Sequence, residues 1–262
     1  MKPYLQYNHL ALVTGASSGI GKDFAYELAK NGFSLYLVAR DMQKLNLIKK
    51  ELESNFRIQV TVIQKDLTKG KDVDDLRKVI DLNDFGLMVL AAGFGSGGKF
   101  DSLDIENETS MVDLNCKTVV KISHFFLKKN IKGERKGLIL FGSLVGFQGV
   151  PWASTYAATK AFIQSFAEGL YWEYKKSGVD VISVAPGPVQ SGFGERAGML
   201  MGNAQETRGI AKKVLKNLGK SITIRPGFLS KFLGYSLILL PRYLRTLLLK
   251  QIMGKMVFGD KK

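Results

Sequence analysis

Short apolar runs recur along this chain at intervals that leave room for a helix between them. Leu10 to Val13, Ser34 to Ala39, Ile58 to Ile63, Leu87 to Ala91, Gly137 to Phe141, Val179 to Val184 and Ser221 to Ile224 each read as a strand. None is a clean alternation of apolar and polar residues, which points to strands covered on both faces. Between them, Phe24 to Ala29 has helical spacing, and Met111 to Leu127 lies in another helix. Asp41 to Ser54 is a Lys/Glu-rich amphipathic helix with Asp41 placed to cap it. Strand following helix following strand predicts an α/β fold, a doubly wound, mostly seven-stranded parallel sheet with helices on both faces. Gln190 to Gln205 has four glycines and little pattern, and reads as a mobile loop.

A chain of 262 residues, 45% hydrophobic and 23% charged, suits one globular domain and excludes disorder and fibrous classes. Its net charge of +15 is not spread evenly. Thr207 to Lys262 holds thirteen Lys or Arg against one acid, Asp260, so the body before it is nearly neutral. Such a basic segment is either a solvated surface or a partner-binding one, and no nucleic-acid module accompanies it. The single cysteine, Cys116, allows no intramolecular disulfide and permits a reducing compartment. The first residues run straight into a glycine turn without a cleavage-like site, so no signal peptide is expected and a cytoplasmic location is. The longest apolar run, Phe232 to Leu240, falls well short of the roughly 20 residues a membrane span needs. His9 and His124 have no metal-ligand spacing to Cys or acid, and no metal site is expected.

Chemistry enters at Thr14-Gly15-Ala16-Ser17-Ser18-Gly19-Ile20-Gly21, between the first strand and the first helix. There a dinucleotide pyrophosphate would meet backbone NH groups and the positive end of a helix; the plainer alternative is a tight turn. Tyr156 and Lys160, four residues apart, share one helical face, and Ser143 precedes Tyr156 by thirteen residues. A YxxxK spacing alone arises by chance in many helices. To give a proton to a carbonyl near neutral pH, a phenol of pKa about 10 must be made roughly three units more acidic, which takes about 4 kcal/mol. A Lys160 ammonium favours tyrosinate, and a Ser143 hydroxyl can stabilise charge growing on a substrate oxygen.

These motifs resemble the TGxxxGxG and YxxxK signatures of the short-chain dehydrogenase/reductase family, and the resemblance covers Leu10 to Ile224. It implies a Rossmann-type fold, a nicotinamide cofactor and catalysis by Tyr156, Lys160, Ser143 and Asn115. Asn115 matches the asparagine that orders a water linking the lysine to solvent. Asp66-Leu67 resembles the pair that holds the adenine ring, although the same residues also suit a strand end and helix cap. Pro186-Gly187-Pro188-Val189-Gln190-Ser191 resembles the PGxVxT segment that holds the nicotinamide carboxamide, with serine in place of threonine. Leu90-Ala91-Ala92-Gly93 stands where the family has Asn-Asn-Ala-Gly. Both asparagines are absent, which is expected to weaken the sheet or cofactor affinity without abolishing activity. Ala92 and Gly93 still allow close backbone approach.

The end of the second strand carries Ala39 and Arg40 and no acid, which favours NADP through a charge-assisted pair with the 2′-phosphate; Ser17 adds a hydroxyl. The alternative pairs Arg40 with Asp41. Cofactor contacts are thus expected at Gly15, Ser17, Ser18, Gly19, Ile20, Gly21, Arg40, Asp66, Leu67, Ala92, Gly93, Tyr156, Lys160, Pro186, Gly187, Val189 and Ser191. The pocket walls, Phe94 to Phe100, Leu144 to Trp152 and Phe193 to Gln205, are rich in Phe, Trp, Met and Leu and suit an apolar carbonyl or alcohol substrate. A cofactor-binding scaffold without turnover is the alternative. Residues 1–225 form the catalytic body and 226–262 a basic, apolar helical extension of the same domain. That extension serves as a lid, as a contact in a homodimer or homotetramer, or as a peripheral membrane element.

Overall fold

The computed structural model describes residues 6–129, 134–202 and 204–259. The expectations that touch residues 1–5, Asn203 and residues 260–262 therefore lie outside the described residues. The chain order is β1 (Leu10–Thr14), α1 (Gly19–Lys30), β2 (Ser34–Ala39), α2 (Met42–Asn55), β3 (Val60–Gln64), α3 (Gly70–Leu82) and β4 (Leu87–Leu90). There follow α4 (Ile105–Val112), α5 (Thr118–Lys128), β5 (Lys136–Phe141), α6 (Ser154–Tyr174) and β6 (Val179–Val184). The C-terminal part adds β7 (Val189–Gln190), α7 (Phe193–Arg196), β8 (Gln205–Glu206), α8 (Ile210–Asn217), β9 (Thr223–Ile224), α9 (Phe228–Ser236) and α10 (Arg242–Phe258).

Seven strands form one parallel sheet in the order β3-β2-β1-β4-β5-β6-β9. Alternate side chains of each strand enter opposite layers. Ala11, Val13, Leu35, Leu37, Ile139 and Ile182 pack with Phe24 of α1, Leu45 of α2 and Val214 of α8. Leu12, Val38, Met88, Leu138 and Val181 pack with Leu76 of α3, Phe126 of α5 and Ile163 of α6. Burial on both faces explains the apolar runs. Asp23 of α1 accepts hydrogen bonds from the backbone NH groups of Gly209 (3.1 Å) and Ala211 (2.8 Å), capping α8 with an acid as its positive end favours. Strand order reverses between β1 and β4, so the carboxyl ends of these two strands open a crevice where α/β folds place ligands.

Two expectations need correction. Met111 to Leu127 is not one regular helix, since a π-turn at Asp113–Lys117 separates α4 from α5. Gln190 to Gln205 is not patternless either. Val189 and Gln190 pair with Gln205 and Glu206, α7 fills part of the interval, and the Leu200 NH donates to Met256 O at 2.7 Å. These partners lie far along the chain, where local composition gives no hint of them.

Candidate active site

Gly15 and Gly19 adopt left-handed backbone, φ +67° and +56°, which glycine alone reaches without strain. A Cβ on Gly21 would run into the carbonyl oxygen of Gly15, so the turn closes onto its own helix only without a side chain there. Ser18 caps α1 in extended conformation without a side-chain cap bond, and the first turn of α1 carries no acid. The backbone NH groups and positive end of the helix are left to an anionic ligand.

Across the crevice, a Cβ on Gly15 would lie 2.8 Å from the backbone nitrogen of Ala92, so the turn after β1 presses on the chain after β4. Thr14 Oγ1 accepts from the Ala92 NH at 3.1 Å, which braces these strand ends where the expected asparagines are missing. Leu90 lies in the apolar core instead. Ser191 packs against the turn from the other side: a Cβ on Gly19 would meet its Cβ at 2.8 Å. The Pro186 carbonyl accepts from the Leu144 NH, Gly187 lies beside Ser230, and Val189 is buried in the core.

At the end of β2, Arg40 is exposed, and among the described residues it forms no ion pair. The Asp41 carboxylate, its alternative partner, caps α2 by accepting from the Lys44 NH (2.9 Å) and pairs with Lys44 Nζ (3.1 Å). Asp66 is turned into its own loop, accepting from the Thr68 NH and hydroxyl. The following residue, Leu67, is buried, and its carbonyl accepts from the Thr118 hydroxyl.

Tyr156 and Lys160 project from the first turns of α6. Ser143, just beyond β5, reaches the Tyr156 hydroxyl with its own. The Tyr156 ring lies 5.2 Å from that of Phe193, and a Cβ on Gly95 would come within 3.0 Å of it, so glycine is required where the chain after β4 passes the ring. Lys160 Nζ donates to Phe141 O at 2.9 Å and sits 5.6 Å from the centre of the Tyr156 ring. Burial lowers the Lys160 pKa to about 8. Burial pushes Tyr156 up to about 12, opposed by the hydrogen bond with Ser143.

Asn115 is buried within the π-turn. Its carboxamide donates to Phe94 O (2.9 Å) and Thr159 Oγ1 (3.1 Å) and accepts from the Phe94 NH (3.2 Å). The side chain is thus spent on fastening the chain after β4 to α6. A Cβ on Gly93 would strike its oxygen at 2.9 Å and lie 3.6 Å from Lys160 Nζ. Cys116 is buried beside Lys160, and burial raises its pKa to about 11. His9 stacks on Phe33 and His124 meets Phe125 edge-on. Among the described residues no group of His, Cys, Asp or Glu is arranged to hold a metal.

Sequence reasoning gave no individual role to Thr14, Gly95, Ser96, Trp152 or Thr159. Ser96, next to Gly95, is buried with a hydroxyl that has no hydrogen-bond partner among the described residues. Trp152 has φ +67°, alone in this among the described non-glycine residues, a conformation a bulky side chain adopts only under constraint. Its carbonyl accepts from the Gly98 NH (2.8 Å), and its ring meets Phe258 of α10 edge-on at 5.2 Å. The extension reaches the cleft here: Leu249 and Met253 of α10 pack with Val150, Ala153, Ala157 and Met199, against Tyr156 and Phe193. The inner face of α10 covers the cleft.

The family profile for short chain dehydrogenases matches residues 9–198. The chain is 27% identical over 229 residues to a 7beta-hydroxysteroid dehydrogenase of Mediterraneibacter gnavus, covering 85% of this chain and 87% of that protein. It is 34% identical over 181 residues to a very-long-chain 3-oxoacyl-CoA reductase of Danio rerio, covering 67% of this chain and 56% of that one. Among solved structures, a short-chain dehydrogenase from Sphingobium yanoikuyae in complex with NADPH superposes with a TM-score of 0.80 at 26% identity, over 87% of this chain and 92% of that one. The chain belongs to the short-chain dehydrogenase/reductase family. It is an oxidoreductase of that family, whose members use nicotinamide cofactors and act on small molecules.

Proposed function

We propose that this chain is an NADP(H)-dependent oxidoreductase that reduces a carbonyl, or oxidises the corresponding secondary alcohol, on an apolar substrate. The observation carrying this reading is that Ser143, Tyr156 and Lys160 come together beside an apolar cluster formed by Phe193, Met199, Leu249 and Met253. The residues present fit a dinucleotide: Gly15, Gly19 and Gly21 leave a cradle that a Cβ would fill, and the start of α1 offers NH donors without an acid. Ser17, Ser18 and Ile20 would hold the pyrophosphate, Asp66 and Leu67 the adenine, and Val189 and Ser191 the nicotinamide carboxamide. Ala92 and Gly93 let the backbone come close. When bound, the reduced nicotinamide supplies hydride to the carbonyl carbon.

The chain's own groups handle the proton. With its pKa raised by burial, Tyr156 holds its hydroxyl proton at neutral pH and can give it to the carbonyl oxygen. Ser143 donates a hydrogen bond to that oxygen as negative charge grows there. Lys160, with a pKa of about 8, is mainly charged at neutral pH, and an ammonium next to the phenol favours tyrosinate as the proton leaves. Asn115 fixes the wall after β4 against α6 and, as the family resemblance implies, would order a water that links Lys160 to solvent.

Arg40 selects the cofactor, since an exposed guanidinium at the end of β2, with no carboxylate partner among the described residues, suits a 2′-phosphate. Wild-type protein is expected to bind NADPH more tightly than NADH in a fluorescence titration, and Arg40→Asp to reverse the order. Equal wild-type affinities would remove this assignment. Lys160→Ala is expected to lower both turnover and NADPH affinity, because the family resemblance implies that the lysine would also touch the nicotinamide ribose. An unchanged dissociation constant beside a reduced kcat would confine Lys160 to the proton step.

The apolar lining of the cleft and relatives named for hydroxysteroid and 3-oxoacyl-CoA substrates support a steroid-like or fatty-acyl ketone. The stacked Phe162 and Phe166 rings and exposed Trp172 on α6 offer an apolar face to a like chain, in keeping with a homodimer or homotetramer. We place the protein in the cytoplasm.

A further inference from the structure

We propose that the outer face of α9 and α10 docks on an anionic lipid surface, so that the cover of the cleft lies against a membrane. This goes beyond the catalytic reading and does not require it. The inner face of α10 is occupied, with Leu249 and Met253 buried over the cleft. Its other side, which also carries exposed Gln251 and Lys255, bears several uncovered apolar side chains. Tyr243, Leu244, Leu247, Leu248 and Ile252 are each more than 40% exposed, and Leu239 just before the helix is 86% exposed. Nine of the nineteen large exposed apolar residues among those described lie between Phe232 and Phe258. That concentration in about a tenth of the chain sets the surface apart from scattered exposed side chains, which need no explanation.

Charge decides the occupant. From Thr207 to Gly259 the sequence has no Asp or Glu, and exposed Lys231, Arg242 and Lys250 flank the apolar strip. A second copy seated here by a two-fold contact would place the same basic side chains against one another, a like-charge arrangement that opposes association. An anionic bilayer offers charge to the cations and hydrocarbon to the leucines, with tyrosine at the boundary, the pattern of helices that lie in a membrane interface. The 17 residues of α10 extend about 25 Å along such a surface. Among the described residues no helix is long and apolar enough to cross a membrane, so the contact is peripheral.

The test is sedimentation of the purified full-length chain with vesicles of phosphatidylcholine alone or mixed with phosphatidylglycerol. Binding is expected only to the mixed vesicles at low salt, with release as salt rises. Leu247→Ser combined with Leu248→Ser should lower partition at least tenfold at every salt concentration. Arg242→Glu and Lys250→Glu should each lower it about fivefold at low salt and little at high salt. Unchanged circular dichroism and NADPH affinity would show that these variants remain folded. Absence of binding to phosphatidylglycerol vesicles at low ionic strength overturns the proposal, as does binding that the four substitutions leave intact. If wild-type protein ignores vesicles while the leucine variant falls to a smaller mass in light scattering, the face belongs to a second copy. If wild-type protein ignores vesicles but retains an acidic protein that the variants release, it belongs to that partner.

Discussion

Replacing Tyr156 with phenylalanine is expected to lower ketone-reduction turnover by roughly 10² to 10⁴ while leaving NADPH affinity nearly unchanged. The selectivity follows from how the ring is held. Phe193 lies 5.2 Å away, Gly95 leaves room for the ring edge, and Lys160 sits behind it, so a phenylalanine ring keeps the same seat. Only the hydroxyl goes, and with it the proton donor and the hydrogen bond with Ser143. Steady-state kinetics on an accepted ketone, with a cofactor titration alongside, would separate the two effects. Full activity in the variant would exclude Tyr156 from the chemistry.

Gly21→Ala should damage the other half of the site, weakening NADPH binding by roughly 10²-fold, which corresponds to about 2.7 kcal/mol. The added methyl meets the Gly15 carbonyl oxygen, which is main chain and cannot swing aside, so the turn must open or α1 must shift. Either movement displaces the NH groups that face the cofactor. Gly70→Ala serves as the control. A Cβ there meets nothing within 4 Å, and Gly70 opens a helix, so this change should be neutral or slightly stabilising. Similar NADPH dissociation constants for the two variants would mean that the turn does not cradle the cofactor.

The fold was largely legible because a sheet covered on both faces forces its strands to be short apolar runs, and all seven appear in the sequence in that form. Their ends were less so: β3 begins at Val60 and β9 at Thr223, each two residues later than apolarity alone places them. The π-turn at Asn115 is invisible in a pattern with helical spacing on both sides, since it changes which carbonyl is met and not which residues are apolar. Asn115 itself was found by resemblance, but its bonds to Phe94 and Thr159 depend on a loop and a helix that only tertiary structure brings together. The backbone of Trp152 gave no signal, because a bulky residue at positive φ contradicts every local preference and persists through its contacts with Gly98 and Phe258. The C-terminal extension showed its apolar and basic character in sequence. Which of its faces turns inward was settled by the burial of Leu249 and Met253.

The central claim, that Tyr156 and a bound NADPH act together on an apolar carbonyl, is tested most directly by isotope transfer. Protein incubated with NADPH deuterated at nicotinamide C4 and a panel of steroid-like and fatty-acyl ketones should yield an alcohol with deuterium on the carbinol carbon. That product should fall by at least about 10² in the Tyr156→Phe variant. NADPH binding without deuterium transfer to any ketone of the panel, or equal transfer by wild type and variant, would contradict the account.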